Sequence, residues 1–363
     1  MTGFSGFDRA TMSRALALAE RGLFTTTPNP RVGCVVARDG KILGEGFHVR
    51  AGEAHAEVVA LADARARGFD PRGAALYVTL EPCNHHGRTR PCVDAILAAG
   101  VARVVAAMRD PNPDAAHGAN RLGAAGVDVS FGLMEQEARE LNVGFVSRMT
   151  RGVPWVRVKI ATSLDGRTAL ANGASQWITS DAARADGHRW RARACAVLTG
   201  VGTVIADDPA LTVRAVETPR QPLRVVIDRG AETPPGARVL QGGALVVTAG
   251  ARNDAWPAGV ETLALPDSAG KIDLHALMRE LARRGVNELH VESGARLNGA
   301  LLGAGLVDEV LHYIAPSVLG DPASGMFDRG VPLGSLVDRV ALAWQSVDRV
   351  GADLRLIARV QRT

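Results

Sequence analysis

The chain is short of aromatic residues, at 4% Phe, Trp and Tyr, and carries no cluster of Lys and Arg. The stacking aromatics and basic stripes of a nucleic-acid-binding surface are therefore missing. No stretch approaches the roughly 20 consecutive apolar residues of a membrane span. The opening MTGFSGFDRATMSR lacks the basic-then-apolar order of a secretory signal. A cytoplasmic protein with no membrane partner is the expectation. Four cysteines are too few for a disulfide scaffold, so a close pair points to a metal first. No Gly-x-Gly-x-x-Gly follows a strand pattern, which excludes a Rossmann dinucleotide fingerprint. Internal repeats and low-complexity tracts are absent too.

What is present is ordinary for a folded α/β protein: 363 residues, 47% hydrophobic and 22% charged, with 40 Gly and 18 Pro. At roughly 150 residues per domain this length implies two domains. The net charge of +4 is spread along the chain and suits anionic small molecules as well as nucleic acid.

Helical spacing of Met12, Ala15, Leu16 and Ala19 predicts a helix over Asp8–Gly22, with Asp8 as its cap and Gly22 as its stop. Strands over Val32–Ala37 and Lys41–Phe47 flank the turn Asp39-Gly40. A helix over His55–Arg67, with Val58, Val59 and Leu61 on its apolar side, precedes a strand over Ala75–Leu80. A helix over Cys92–Ala99 and a strand over Arg103–Met108 follow. The alternation predicts a layered α/β domain.

The pattern breaks at RMTRGVP (Arg148 to Pro154), and a boundary there gives domains of residues 1–150 and 151–363. Beyond it, strands are predicted from Trp155 and over Ala196–Thr199, Leu223–Asp228, Ala244–Thr248, Glu288–Glu292 and Glu309–Ile314. Helices are predicted over Asp181–Cys195, Asp273–Arg284 and Asn298–Ala304, again an α/β arrangement.

The sharpest chemical signal is His55-Ala56-Glu57 followed by Pro82-Cys83 and Cys92. One imidazole and two thiolates are three ligands, the number a catalytic zinc takes when water holds the fourth position. Glu57 has no use in a closed structural site but can carry protons beside an open one. The pattern matches that of zinc deaminases acting on an amino-bearing ring carbon. His85 and His86 are alternative ligands that would allow a closed four-ligand site; the reading favoured places them in the substrate pocket.

In the second half, Leu198-Thr199-Gly200-Val201-Gly202-Thr203 sets glycines just after an apolar strand, where backbone amides can meet phosphate. Val291-Glu292-Ser293-Gly294-Ala295 puts a carboxylate and a small turn before a helix whose start favours an anion.

The segments TPNPRVGCVV (Thr27 to Val36), HAE (His55 to Glu57) and TLEPCNHHGRTRPC (Thr79 to Cys92) resemble the RibD family of bacterial bifunctional riboflavin-biosynthesis deaminase/reductases. Eight residues separate Cys83 from Cys92, as in that family; nucleic-acid editing deaminases carry Pro-Cys-x-x-Cys. The resemblance continues through Asp110-Pro111-Asn112-Pro113, KIATSLDGRTA (Lys159 to Ala169), SQWITS (Ser175 to Ser180), GVGTVIADDPALTVR (Gly200 to Arg214) and VESG (Val291 to Gly294). Two departures are Arg90 before Pro91-Cys92 and AAHGAN (Ala115 to Asn120), which contains His117.

The resemblance implies a cytidine-deaminase-like domain holding Zn2+ through His55, Cys83 and Cys92, with Glu57 as the catalytic proton carrier. It implies a second, dihydrofolate-reductase-like domain that uses NADPH. Ala161, Trp177, Thr203, Asp207, Arg229 and the turn Gly294, Ala295, Arg296, Leu297, Asn298, Gly299 and Ala300 would contact the cofactor. Arg229 stands where the family often has Ser. Ser175, Arg191, Leu211, Arg214 and Glu292 would contact the substrate, with Arg191 and Arg214 suited to a terminal phosphate. Lys159, Asp207 or a water would supply the reductase proton. A homo-oligomer acting on a phosphoribosylaminopyrimidine is implied. The alternative is a nucleic-acid or nucleotide deaminase fused to a non-catalytic nucleotide-binding domain.

Overall fold

The computed structural model describes residues 3–85, 90–320 and 325–362. It divides into two compact units, Met1–Gly152 and Val153–Thr363.

In the first unit, α1 (Gly6–Glu20) is followed by β1 (Gly33–Arg38), β2 (Lys41–Phe47), α2 (Ala56–Ala66), β3 (Ala75–Val78), α3 (Cys92–Ala99), β4 (Arg103–Ala106), α4 (Gly118–Ala124), β5 (Asp128–Phe131), α5 (Glu135–Leu141) and α6 (Val143–Arg151). The sheet order is β2-β1-β3-β4-β5. β1 runs antiparallel to β2 and β3, while β3, β4 and β5 are parallel. Cys34, Val35 and Val36 on β1, Leu76 and Val78 on β3, and Val104 and Val105 on β4 are fully buried, as expected of strands covered on both faces.

Three expectations need correction. The cap of α1 is Ser5, not Asp8. Asp8 occupies the third helical position and reaches back to the Ser5 N–H at 2.8 Å, closing a capping box. On α2 the buried side is Ala56, Ala60, Leu61 and Ala64; Val58 faces solvent, because the small side chains let the helix lie close to β2. Finally, Arg148–Arg151, where the sequence pattern was expected to break, are helical. They form the last turn of α6, which stops at Gly152 in the left-handed conformation.

In the second unit, β6 (Trp155–Ser163), α7 (Asp181–Arg193), β7 (Ala196–Gly200), α8 (Val201–Asp207), β8 (Leu223–Ile227), β9 (Ala244–Thr248), β10 (Val260–Ala264), α9 (Leu274–Arg283), β11 (Glu288–Val291), α10 (Ala295–Gly303), β12 (Glu309–Ala315), β13 (Leu342–Val350) and β14 (Asp353–Val360) build a sheet of order β10-β9-β8-β7-β11-β6-β12-β14-β13. The strands from β10 to β12 pair in parallel; β14 and β13 return antiparallel. α10 begins at Ala295, three residues before the predicted Asn298, with Gly294 as its extended cap.

Candidate active sites

Parallel β3 and β4 end side by side, so the loops leaving their carboxyl ends, Glu81–Cys83 and Asp110–Asn112, face each other. That is where open α/β sheets hold ligands. Glu81 joins the loops: its carboxylate accepts from the Asp110 N–H at 3.2 Å and the Ala119 N–H at 3.1 Å. Gly118 presses against the carbonyl oxygen of Pro82, which a Cβ at that position would meet at 1.9 Å. His117, one of the departures, supplies the left-handed turn that starts α4 there.

His55 caps α2 and Cys92 is the first residue of α3, so two helix N-termini converge on Cys83. The His55 Nδ1 lies 3.2 Å from the Cys92 Sγ and 3.5 Å from the Cys83 Sγ, and all three donor atoms fall within 4.8 Å of one another. Ligands at tetrahedral zinc distances stand about 3.5 Å apart, so one nitrogen and two sulfurs in this spacing fit that ion. Among the described residues this is the only such cluster. His85 is outside it and lines the adjoining cavity; His86 lies outside the described residues. Arg90 is exposed.

Burial, and then the neighbouring Cys83, push the Glu57 carboxyl up to about 7. The Cys92 partner and the His55 ring draw the Cys83 thiol down to about 4 against the effect of burial, while Cys92 is pushed upward. Glu57 is buried and opens onto a cavity of about 630 Å3, a volume typical of small-molecule sites.

That cavity also reveals residues the sequence reading left out. The amide of Asn29 lies 3.0 Å from the His48 Nε2, and the other ring nitrogen of His48 lies 3.1 Å from the carbonyl of Ala54. The ring therefore donates at Nδ1 and accepts at Nε2. Burial, with the charges of Glu81 and Cys83, pushes Asp110 up to about 7. Asn29 and Asp110 stand in the segments TPNP and DPNP without an assigned role and His48 has no motif; the three come together from separate loops.

In the second unit Thr203 and Asp207 lie on α8 just after β7, Arg229 two residues after β8, and Glu292 directly after β11. Glu292 follows β11 and pairs through both oxygens with Arg191 of α7, the Arg191 Nη2 at 2.8 Å. Burial would raise the Glu292 carboxyl, but Arg191 holds it well below the usual range. The His290 Nε2 lies 3.4 Å from the same carboxylate, with Lys159 and His188 close by. Burial, together with Arg191, lowers Lys159; burial and the charges of Arg191 and Arg214 take His188 down to about 4. Lys159, Arg191 and Arg214 thus gather around the single carboxylate of Glu292, an electrostatic setting for an added anion. His188 had no sequence signal.

Ser175 donates to Asp207 at 3.1 Å, and Thr203 approaches Gly294, whose Cβ would lie 3.9 Å from the hydroxyl. Arg229, Arg296, Gly294, Ala300 and Trp177 are exposed, and Arg184 lies 4.5 Å over the Trp177 ring. Ala161 is half-buried on β6. Leu211 buries its side chain and offers only backbone, in a left-handed conformation. Leu297 packs on Gly200. Asn298 uses its amide within the protein, donating to the carbonyls of Ser293 and Met326. Gly299 is buried against the carbonyl of Asp328, 1.8 Å from where a Cβ would sit.

Comparison with known proteins follows the same division. Residues 5–108 match the cytidine and deoxycytidylate deaminase zinc-binding region, and residues 154–356 match the RibD C-terminal domain. The chain is 50% identical over 365 residues to the riboflavin biosynthesis protein RibD of Escherichia coli strain K12, covering 96% of this chain and 98% of that one. The structure of Acinetobacter baumannii RibD, form 1, superposes with a TM-score of 0.91 at 40% identity, covering 98% of this chain and 99% of that one. A diaminohydroxyphosphoribosylaminopyrimidine deaminase/5-amino-6-(5-phosphoribosylamino)uracil reductase from Thermotoga maritima gives 0.89 at 34%, with the same coverage.

Fold and sites together define a two-activity enzyme, a deaminase joined to a reductase, whose cofactors are Zn2+ and NADPH. The chain belongs to the RibD family of riboflavin biosynthesis. Membership across both units does not favour a nucleic-acid deaminase fused to a non-catalytic domain.

Proposed function

We propose that residues 1–150 deaminate 2,5-diamino-6-(5-phosphoribosylamino)pyrimidin-4-one and that residues 151–363 reduce the product's ribosyl group to ribityl. The observation carrying this reading is the buried Glu57 carboxylate beside the His55, Cys83 and Cys92 donors at the floor of an open cavity. When bound, zinc lowers the pKa of a water to near neutrality, and NADPH supplies the hydride equivalent for the ribose C1. Glu57, poised at about 7, takes a proton from the attacking water and returns it to the amino nitrogen, which leaves as ammonia. His48, fixed by Asn29 and Ala54, presents a defined tautomer to the same cavity.

In the reductase, Arg191 and Arg214 bind the substrate phosphate and Glu292 accepts from its hydroxyls, with Ser175 and the Leu211 backbone as further contacts. Ala161, Trp177, Thr203, Asp207, Arg229 and Gly294 to Ala300 form the cofactor bed, Asn298 and Gly299 shaping its backbone. Lys159, Asp207 or a water supplies the proton. The reading includes a cytoplasmic homo-oligomer, which light scattering of the purified chain checks.

The deciding experiment is mass spectrometry of products from the diaminopyrimidinone substrate with the zinc-loaded protein and NADPH. The ribityl, deaminated product is expected. Accumulation of the deaminated ribosyl compound would remove the reductase assignment, and recovery of unchanged substrate would remove the deaminase assignment.

A further inference from the structure

We propose that His188 donates a hydrogen bond from its Nε2–H to the substrate's phosphate in the reductase half, beside the Arg214 guanidinium, which makes it a specificity-determining residue of that half. This deepens the functional reading above and rests on it.

Residues Thr212, Val213 and Arg214 lie between α8 and β8 and belong to no strand. Side chains take up their backbone polar groups instead. Arg191 donates to the Thr212 carbonyl at 3.1 Å, and the Gln221 amide accepts from the Val213 N–H at 2.7 Å and donates to the Val213 carbonyl at 3.1 Å. The Arg214 N–H donates to the His188 Nδ1 at 3.3 Å. His188 and Arg191, three residues apart on α7, thus grip the segment from one face of that helix.

The same bond fixes the ring's chemistry. A backbone N–H only donates, so Nδ1 accepts and the proton of the neutral imidazole sits on Nε2. Among the described residues no group accepts from that Nε2–H. Burial, and then Arg191 and Arg214, hold the ring at about 4, with Lys159 adding to them and Glu292 opposing. His188 is therefore uncharged at neutral pH. Another cation beside Lys159, Arg191 and Arg214 would be repelled, whereas a neutral N–H adds a donor without adding charge.

A phosphate monoester carries several strong acceptor oxygens and needs as many donors. Arg191 already commits Nε and Nη2 to Glu292 and Nη1 to Thr212. Arg214 commits only Nη1, to the Thr212 hydroxyl at 3.0 Å. The remaining Arg214 donors and the Nε2–H of the ring tied to that residue's backbone then share the phosphate.

The test follows NADPH oxidation by the full-length chain with the deaminated phosphorylated substrate and with its dephosphorylated riboside. His188→Leu is expected to raise KM for the phosphorylated substrate about ten- to a hundredfold, with kcat within about threefold. The kcat/KM for the riboside should hardly move, and His188→Gln, which keeps an acceptor and an N–H, should recover most of the loss. Replacing His188 by Nε2-methylhistidine keeps the Nδ1 acceptor and removes the donor; it should match His188→Leu. In NMR titration of the wild type, saturating ribose 5-phosphate should move the His188 midpoint upward from about 4, because an anion beside the ring favours its protonated form. Wild-type KM in the methylhistidine protein would overturn the proposal, reducing His188 to a support for Arg214. So would equal losses on both substrates, or a midpoint that ribose 5-phosphate leaves in place. If the wild type oxidises no NADPH with the phosphorylated substrate, the functional reading fails instead, and the NMR titration still decides whether His188 meets a phosphate.

Discussion

Arg191 and Glu292, 101 residues apart in sequence, form a two-point ion pair between α7 and the end of β11. The two side chains are only 16% and 15% exposed, so water is a poor substitute for either partner. Arg191→Met should therefore cost about 3–5 kcal/mol in denaturant unfolding, because it strands a buried carboxylate. The double variant Arg191→Met/Glu292→Leu should cost less than that single one. A double variant costing the sum of the two singles would show that the pair is not coupled.

Glu57→Gln keeps the shape of the side chain and removes its proton. The variant should bind zinc at one ion per chain by metal analysis, yet lose roughly a hundred- to ten-thousandfold in deaminase kcat. Its NADPH oxidation with the deaminated substrate should match the wild type. Cys83→Ser should lose the metal as well as the deaminase activity and leave the same reductase rate.

Two glycines are fixed by close approach. Gly118→Ala would drive a methyl into the Pro82 carbonyl next to Cys83, and Gly299→Ala would do the same at Asp328. Each should destabilise by about 1–3 kcal/mol. They should differ in which activity suffers, Gly118→Ala weakening zinc retention and Gly299→Ala raising KM for NADPH, as steady-state kinetics of both reactions will show.

Asp8 gives the first unit a pH-dependent anchor. Burial alone would raise its pKa, but the Tyr77 hydroxyl at 2.6 Å, Ser5 and the Arg103 guanidinium at 3.0 Å hold it at about 2, against an ordinary 3.8. A carboxyl depressed by folding contributes stability above its unfolded pKa and loses it as pH falls toward its folded one. The contribution, on the order of 1–2 kcal/mol, should be complete above about pH 4 and fade toward about pH 2. Urea midpoints of wild type and Asp8→Asn should converge over that window, and a constant gap would refute the assignment.

The strands from β1 to β4 and from β6 to β12, apart from β10, were legible because they are short apolar runs between turn residues. α4, α5, α6, α8, β5 and β10 were not, nor was the hairpin of β13 and β14. Short helices rich in Ala, Gly and Arg such as α4 bury few apolar side chains, here Ala119 and Leu122, and β13 alternates half-buried with exposed positions without a strong apolar face.

The chemistry divides in the same way. His55, Glu57, Cys83 and Cys92 could be read directly, since a metal demands particular donor types and a proton carrier at a fixed offset along one helix. The sequence by itself thus determined the class of reaction and the family. Only the tertiary structure decided what surrounds the donors. Asn29, His48, Asp110 and Arg148 reach one cavity from separate loops and a helix, and Lys159, His188, Arg191 and Glu292 meet over one sheet end. Their partnership depends on which strand ends lie side by side, and parallel pairing across long crossovers fixes that through the packing of the whole domain rather than through any local spacing.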